Sequence, residues 1–156
     1  REFGREISVI TDGTNPYRQF FNVIGKAYSV EWAELSTTYS RSRFYLALSD
    51  SEAFGLTPLE ACAHGTVPIL PSLPVYLEIY PIDVPIWVDI EDTYYTSLAP
   101  YYLIEHFKVS VKSLVWAMRY AKDMDKYEWE ERSIKCIELA KRYYYDVVYQ
   151  HFKEFF

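Results

Sequence analysis

Short apolar runs alternate along this chain with stretches in which apolar residues recur every three or four positions. The runs are typical of buried strands and lie at residues 6–11, 27–32, 44–48 and 66–70. Helical spacing follows the first three runs, beginning behind Asn15-Pro16, at residue 35 and near Thr57. This order predicts an α/β fold, a Rossmann-like parallel sheet with helices on both faces.

The second half of the chain shows fewer strand signals. Prolines are dense between residues 68 and 85 and indicate a long connection, after which Val84, Ile86 and Val88 predict another strand. A polar, tyrosine-containing loop is predicted after this strand. Two amphipathic helices are predicted next, one beginning near Val111 and one running from Ile137 to about Val147.

Composition narrows the class of protein. The 156 residues, half of them apolar, predict one globular domain over residues 1–156. The net charge of −6, without a basic patch, argues against a nucleic-acid partner. Cys62 and Cys136 lie far apart without metal-binding spacing, which predicts reduced thiols in a cytoplasmic protein. No apolar run reaches membrane-spanning length and no signal peptide is visible, so any membrane contact would be peripheral.

Two carboxylates, Glu52 and Glu60, stand on either side of a turn that contains Gly55. The strand at 44–48 delivers this segment to the carboxyl edge of the sheet. There, the positive end of the next helix favours an anion such as a diphosphate. Carboxylates repel phosphate but accept hydrogen bonds from sugar and ribose hydroxyls. The segment therefore suits a ligand that carries both a diphosphate and polyol groups.

The helix after this turn has its own start and stop signals. Thr57 is predicted as its N-cap and Pro58 as its first residue, with Glu60 completing a capping box. Gly65 is predicted to end the helix in a left-handed conformation. The alternative to a functional pair is that Glu60 only caps this helix and that Glu52 is a solvated loop residue.

The stretch from Glu52 to Ala61 reads EAFGLTPLEA and is closed by Gly65. It resembles the donor-binding motif of retaining glycosyltransferases of family 4, which have the GT-B fold. The resemblance implies that this chain is the C-terminal, nucleotide-sugar-binding domain of a hexosyltransferase-like enzyme. In that family a final helix crosses back to the first domain, and residues 143–156 are its counterpart here.

The resemblance also implies a role for each site residue. Glu52, the catalytic residue, would contact hydroxyls of the donor hexose near the reacting carbon, and Glu60 would bind the ribose hydroxyls. The backbone N–H groups that would hold hexose or phosphate oxygens belong to Phe54, Gly55, Leu56 and Thr57. Trp32 or its neighbours, at the end of the second predicted strand, would flank the nucleobase.

No cofactor and no metal ion are expected, because the helix N-terminus holds the diphosphate and catalysis is electrostatic. The partners implied are the nucleotide-sugar donor and an N-terminal acceptor domain or a second copy of the chain. The family's basic pair has no match at Arg5, and the glycines expected near Glu78 are missing. The isolated chain is therefore expected to bind donor without transferring sugar.

Two other functions stay open. A sugar-nucleotide epimerase shares the GT-B architecture. A non-catalytic module that binds a nucleotide, or a protein partner through its aromatic surface, is favoured by the missing basic pair and glycines.

Overall fold

The computed structural model describes residues 8–10, 22–25, 30–99 and 102–153. The chain divides into two compact units, residues 1–38 and 39–156, and each is described by itself. No helix among these residues is both long enough and apolar enough to span a membrane. A single domain and a cytoplasmic location stay predictions.

The first unit contains a small parallel pair of strands. Strand β1 (Ser8–Ile10) pairs with strand β2 (Asn22–Gly25). The strand predicted at 6–11 is confirmed where the structure describes it. The predicted helix behind Asn15-Pro16 is wrong at its end, because the β-branched Val23 and Ile24 lie in β2. The rest of that helix and the turn at residues 12–13 lie outside the described residues.

Helix α1 (Trp32–Arg41) spans the boundary of the two units. The helix predicted at 35–41 is confirmed and begins three residues earlier. Glu34 in its first turn and Arg41 in its last turn complement the helix dipole. The strand predicted at 27–32 is wrong at its end, because Trp32 opens α1; residues 26–29 lie outside the described part.

The second unit is built on a three-stranded parallel sheet in the order β3-β4-β5. Its strands are β3 (Phe44–Leu46), β4 (Val67–Pro71) and β5 (Ile86–Val88). Helix α2 (Leu56–Ala63) connects β3 to β4, and helix α3 (Pro74–Ile79), within the predicted long connection, connects β4 to β5. The unit is mixed α/β, with the strand and helix alternation that the sequence predicts and consistent with a Rossmann-like arrangement.

An antiparallel hairpin follows the sheet. Strand β6 (Ile90–Ala99) pairs with strand β7 (Tyr102–Val109) where a polar loop was predicted. The prediction is wrong because tyrosine and threonine favour strands even where most of their side chains stay exposed. Most side chains of β6 are exposed, so no alternation of apolar and polar residues marks it.

Three helices complete the unit. They are α4 (Val111–Asp123), α5 (Lys126–Lys141) and α6 (Tyr145–Lys153). Ser110 caps α4 and Asp125 caps α5, each by accepting a backbone N–H of the first turn. The first predicted amphipathic helix is confirmed as α4, and the second is confirmed in part, because its predicted residues are divided between α5, which begins at Lys126, and α6. Helix α5 ends at Lys141, and α6 begins separately at Tyr145.

Buried side chains form two clusters. One contains residues of α2, α3, α5 and β4, including Cys62, Leu70, Tyr76, Cys136 and Leu139. The other contains residues of α4, β4 and β5, including Ile69, Ile86, Val88, Ala117 and Ala121. Two clusters that share the central strand are what a sheet covered by helices on both faces produces.

Candidate functional site

Helix α2 begins earlier than its sequence predicts. Leu56 is its first residue, and Gly55 is its N-cap with φ of 80° and ψ of 60°. The predicted capping box is wrong, since no side chain caps this end. The left-handed turn at Gly55 starts the helix before Thr57, which places Glu60 beyond the first turn and out of reach of the cap.

The uncapped N-terminus of α2 is the central feature of the site. It follows β3 at the carboxyl edge of the parallel sheet. The first N–H groups of a helix have no intrahelical acceptor, and the positive end of the helix dipole lies there. Such an end binds anions, so the predicted position of an anion site coincides with a helix end that no side chain caps.

Gly55 is required by its surroundings as well as by its φ angle. A Cβ atom built on it would lie 2.5 Å from Cε1 of Tyr76, which is fully buried on α3. The Tyr76 hydroxyl is buried without a well-formed hydrogen bond. Burial raises the pKa of Tyr76 to about 12; the nearby Ser49 side chain opposes this rise and Glu52 adds to it.

Glu52 folds back onto its own turn. Its Oε1 atom accepts the N–H of Ala53 at 3.0 Å and the N–H of Phe54 at 3.4 Å. The Phe54 N–H, one of the predicted ligand contacts, therefore points at a carboxylate in this structure. A ligand oxygen would reach that N–H after the carboxylate moves.

Glu52 and Glu60 both act electrostatically on Tyr45 of β3. Burial raises the pKa of Tyr45, a hydrogen bond with the Thr57 side chain opposes the rise, and Glu60 and Glu52 add to it. Glu60 is half-buried, and burial raises the pKa of its carboxyl group while His64 opposes this. The two predicted carboxylates thus lie within electrostatic reach of one hydroxyl.

The rings of Tyr39, Tyr45 and His64 pack against one another near Glu60. Tyr39, only 4% exposed, packs edge-to-face on Tyr45 and tilted against His64, with ring centroids 5.6 Å apart in both contacts. The Tyr39 carbonyl accepts a hydrogen bond from the buried Thr66 hydroxyl at 2.7 Å. Burial raises the pKa of Tyr39, with Tyr45 and Glu60 adding to the effect.

The remaining predicted site residues are exposed. Phe54, 39% exposed, contacts the ring of Tyr143 edge-to-face at 5.8 Å between centroids. Leu56 and Thr57 are exposed in the first turn of α2. Trp32 is exposed at the start of α1 and belongs to the first unit, so its contact with a nucleobase stays a prediction.

The carboxyl end of α2 is closed by the predicted left-handed glycine. Gly65 has φ of 76°, and its N–H donates to the Cys62 carbonyl at 2.9 Å. The Thr66 N–H donates to the Ala61 carbonyl at 3.1 Å, which completes a Schellman motif. The Ser133 hydroxyl on α5 then donates to the Gly65 carbonyl at 2.7 Å.

The β6–β7 hairpin is tied to the loop before Glu52 through Asp50. The Asp50 carbonyl accepts the Phe107 N–H at 2.7 Å. The Oδ2 atom of Asp50 lies 3.2 Å from His106 Nδ1 and 3.3 Å from the Tyr94 hydroxyl. The His106 ring stacks on Tyr94, with centroids 5.0 Å apart.

On its other side, His106 Nε2 lies 2.7 Å from the Thr96 hydroxyl. An aspartate, a histidine and a hydroxyl in line resemble the groups that activate a nucleophile. Here they join two strands of a hairpin to the loop at Asp50, which assigns them a positioning role. His106 is 56 residues from Asp50, so no local pattern in the sequence links them.

In the part of the chain that the structure describes, no three His, Cys, Asp or Glu side chains are grouped as a metal ion would require. Asp50 and His106 are a pair of the right chemical types, but a pair alone does not make a metal centre.

No protein-family model matches the chain. It is similar to "Putative glycosyltransferase 41" of Sulfolobus islandicus filamentous virus (isolate Iceland/Hveragerdi), at 32% identity over 143 residues, 92% of this chain and 41% of that protein. It is also similar to "Putative glycosyltransferase ORF313" of Acidianus filamentous virus 1 (isolate United States/Yellowstone), at 33% identity over 107 residues, covering 68% of this chain and 34% of that protein. The match to "Putative glycosyltransferase ORF330" of Acidianus filamentous virus 2 (isolate Italy/Pozzuoli) is 33% identical over 112 residues, 71% of this chain and 31% of that protein.

The chain is related to viral proteins that carry the name glycosyltransferase. It spans between 31% and 41% of the length of the relatives it matches.

Proposed function

We propose that this chain is the donor-binding part of a glycosyltransferase. The observation that carries the proposal is the uncapped N-terminus of α2, with Glu52 and Glu60 both close enough to Tyr45 to raise the pKa of its hydroxyl. The names of the viral relatives support glycosyl transfer. The motif from Glu52 to Ala61 supports the finer assignment to a retaining, family-4-like enzyme and to the C-terminal domain of a GT-B fold.

The diphosphate of the donor would lie against the N-terminus of α2. The N–H groups proposed to hold its oxygens, or those of the hexose, are those of Phe54, Gly55, Leu56 and Thr57. Glu60 would accept hydrogen bonds from the ribose hydroxyls, and its partial burial strengthens such charge-assisted bonds. Because the helix end supplies positive potential, binding is expected without a divalent metal.

Glu52 would contact the donor hexose near its reacting carbon. A sugar hydroxyl would compete with the N–H groups of Ala53 and Phe54 for the carboxylate that they bind in this structure. Movement of the carboxylate would release the Phe54 N–H to the ligand. Donor binding and the arrangement of the turn are therefore coupled through one side chain.

In the proposed reaction, the bond from the anomeric carbon to the diphosphate oxygen breaks. The bond from that carbon to the acceptor oxygen forms on the same face, and the acceptor proton leaves with the diphosphate or the solvent. The N-terminus of α2 stabilises the negative charge that develops on the leaving diphosphate. No protein nucleophile takes part.

The acceptor side of the site is assigned to another part of the protein or to a second copy of the chain. The chain covers less than half of each viral relative, and the family's basic pair is unmatched at Arg5. The chain by itself is expected to bind donor and to transfer no sugar.

Calorimetric titration with a panel of nucleoside diphosphates and nucleotide sugars tests the site, with and without a chelator. We expect one nucleotide to bind equally in both buffers. The absence of binding to every nucleotide would overturn the site. Binding that vanishes with the chelator would overturn only its metal independence.

Two other functions are separated by product analysis with a labelled donor. A released, isomerised sugar would identify an epimerase. The unmatched basic pair favours a non-catalytic nucleotide-binding module. That module would bind nucleotide equally well with and without the hexose, and Glu52→Gln would change neither affinity.

A further inference from the structure

The turn that ends α2 contacts α5 at Gly65 and Ser133. The Ser133 hydroxyl donates to the Gly65 carbonyl at 2.7 Å, and a Cβ atom built on Gly65 would lie 2.7 Å from the Ser133 Oγ atom. Cys62 lies three residues before Gly65, and Cys136 lies three residues after Ser133. Gly65 follows the end of α2, where its N–H donates to the Cys62 carbonyl, and it lies against Ser133 and Ile137 of α5. Residues three and four apart share one side of a helix, so Cys136 lies on the same side of α5 as Ser133. Both cysteines therefore lie where α2 packs on α5, in one cluster of buried side chains.

The two thiols are completely enclosed. Cys62 and Cys136 are both 0% exposed and belong to the same cluster of buried side chains. A hydrogen bond with the Cys136 thiol raises the pKa of Cys62, and burial adds to the rise. Both cysteines are free in this structure, and the proposed donor site uses neither of them.

We propose that Cys62 and Cys136 are a disulfide-forming pair that crosslinks α2 to α5 when the chain folds in the presence of a small-molecule disulfide. One cysteine thiolate attacks the small disulfide, which gives a mixed disulfide and releases one small thiolate. The second cysteine thiolate attacks the protein sulfur of that mixed disulfide. The protein S–S bond forms and the second small thiolate leaves.

In this exchange the two cysteines lose two protons and two electrons, and the small disulfide is reduced to two thiols. The folded chain excludes the reagent because both thiols are enclosed. Exchange therefore proceeds on the unfolded or locally opened chain, and packing of α2 on α5 then encloses the bond. A disulfide between Cys62 and Cys136 closes a long loop, which constrains the unfolded chain strongly.

The test begins by unfolding the chain in denaturant and refolding it in a mixture of oxidised and reduced glutathione. A parallel sample refolds with a strong reductant. Both are alkylated under denaturing conditions and weighed by mass spectrometry. The oxidised sample is expected to take up no alkyl group and to be about 2 Da lighter than the thiol form, from loss of two hydrogens. Its melting temperature is expected to exceed that of the reduced sample by on the order of 10 °C.

Single variants Cys62→Ala and Cys136→Ala serve as controls, because each leaves one thiol for alkylation or one mixed disulfide with glutathione. The main comparison uses the unaltered chain in two redox states, so it does not depend on how the variants fold. Two alkylated cysteines after oxidative refolding, or only mixed and intermolecular disulfides, would overturn the proposal. An oxidised chain that melts below the reduced chain would also overturn it.

Discussion

The two ends of helix α2 both carry a glycine with positive φ, but they are completed in opposite ways. At the carboxyl end, the turn at Gly65 is closed by a Schellman motif and by the Ser133 hydroxyl. At the amino end, Gly55 rests on the Tyr76 ring, and no side chain caps the helix. At the carboxyl end, the backbone groups of the helix find hydrogen-bond partners within the protein. At the amino end, backbone N–H groups remain available to an external acceptor. The contrast separates an end that stabilises the fold from the end that we propose binds the donor.

The largest effect is expected from Gly55→Ala. The substitution combines a left-handed residue with a Cβ atom 2.5 Å from the buried Tyr76 ring. The two costs together should lower the free energy of unfolding by roughly 2–4 kcal/mol, measured by urea denaturation. Gly65→Ala is the matched control. Its nearest neighbour is the rotatable Ser133 hydroxyl, so the loss should be about 1–2 kcal/mol. A larger loss at Gly65 would contradict this difference between the two ends.

Glu60→Gln should weaken nucleotide binding by roughly 1–3 kcal/mol, because a charge-assisted hydrogen bond is lost. The free energy of unfolding should stay the same or rise slightly at neutral pH, since burial disfavours the Glu60 anion and no cap depends on it. Calorimetry and thermal unfolding measure the two effects. Glu78→Gln, on the exposed side of α3, should change neither. A lower melting temperature with intact affinity would show that Glu60 serves only the fold.

The raised pKa of Glu60 predicts opposite pH trends for binding and for stability. Ribose hydroxyls need the ionised carboxylate, so nucleotide affinity should increase as pH rises through the raised pKa. The folded chain holds the Glu60 proton more tightly than the unfolded chain does. The contribution of this proton to stability is therefore full below the ordinary pKa of a glutamate. It is lost as pH rises through the raised pKa that Glu60 has in the folded chain. Titrations and denaturation curves between about pH 4 and pH 7 test this. Each curve is compared with the same curve for Glu60→Gln, and the difference separates the titration of Glu60 from that of His64. If affinity and stability changed with pH in the same direction, the prediction would be refuted.

The smallest effect is expected at His106, which ties the hairpin to Asp50, in the loop before the uncapped end of α2. Contacts of this kind on a largely exposed aspartate contribute about 0–1 kcal/mol, so His106→Ala should weaken donor binding by no more than that. His106→Asn keeps a donor near the Nδ1 position and should bind like the unaltered chain. Hydrogen exchange at residues 50–56 should increase in the alanine variant alone. Equal exchange in both variants would mean that the hairpin does not order the turn.

Local apolar periodicity predicts those elements that bury one side in the core. Strands β3 and β4 and helix α4 are of this kind, and the sequence places them within a few residues. Helix α5 also buries one side, but it begins at Lys126, well before the predicted Ile137. The β6–β7 hairpin could not be found this way, because side chains such as Tyr95 and Thr96 stay exposed. Ile90, Phe107 and Val109 pack against the buried clusters at the base of the hairpin. The rest of the hairpin is held by the pairing of its strands and by the contacts with Asp50, which no local pattern reveals.

The candidate site likewise combines features that the local sequence reveals with features that only the packing of distant elements creates. The spacing of Glu52, Gly55 and Glu60 is a local signal, and it marks the turn and the helix correctly. The start of the helix was predicted wrongly, because the left-handed turn at Gly55 begins the helix at Leu56, before Thr57. Tyr45 and Tyr76 join the site through the packing of β3 and α3 around the turn, which sequence spacing alone does not encode.

The tie between Asp50 and His106 also has a kinetic consequence. These residues are separated by 56 positions, whereas β3, α2 and β4 meet through short connections. Closing the longer loop costs more chain entropy and follows the formation of local contacts. The turn that begins at Asp50 thus reaches its native shape after the sheet beneath it. It should be among the last parts of this unit to become ordered in folding, and among the first to open in the folded state.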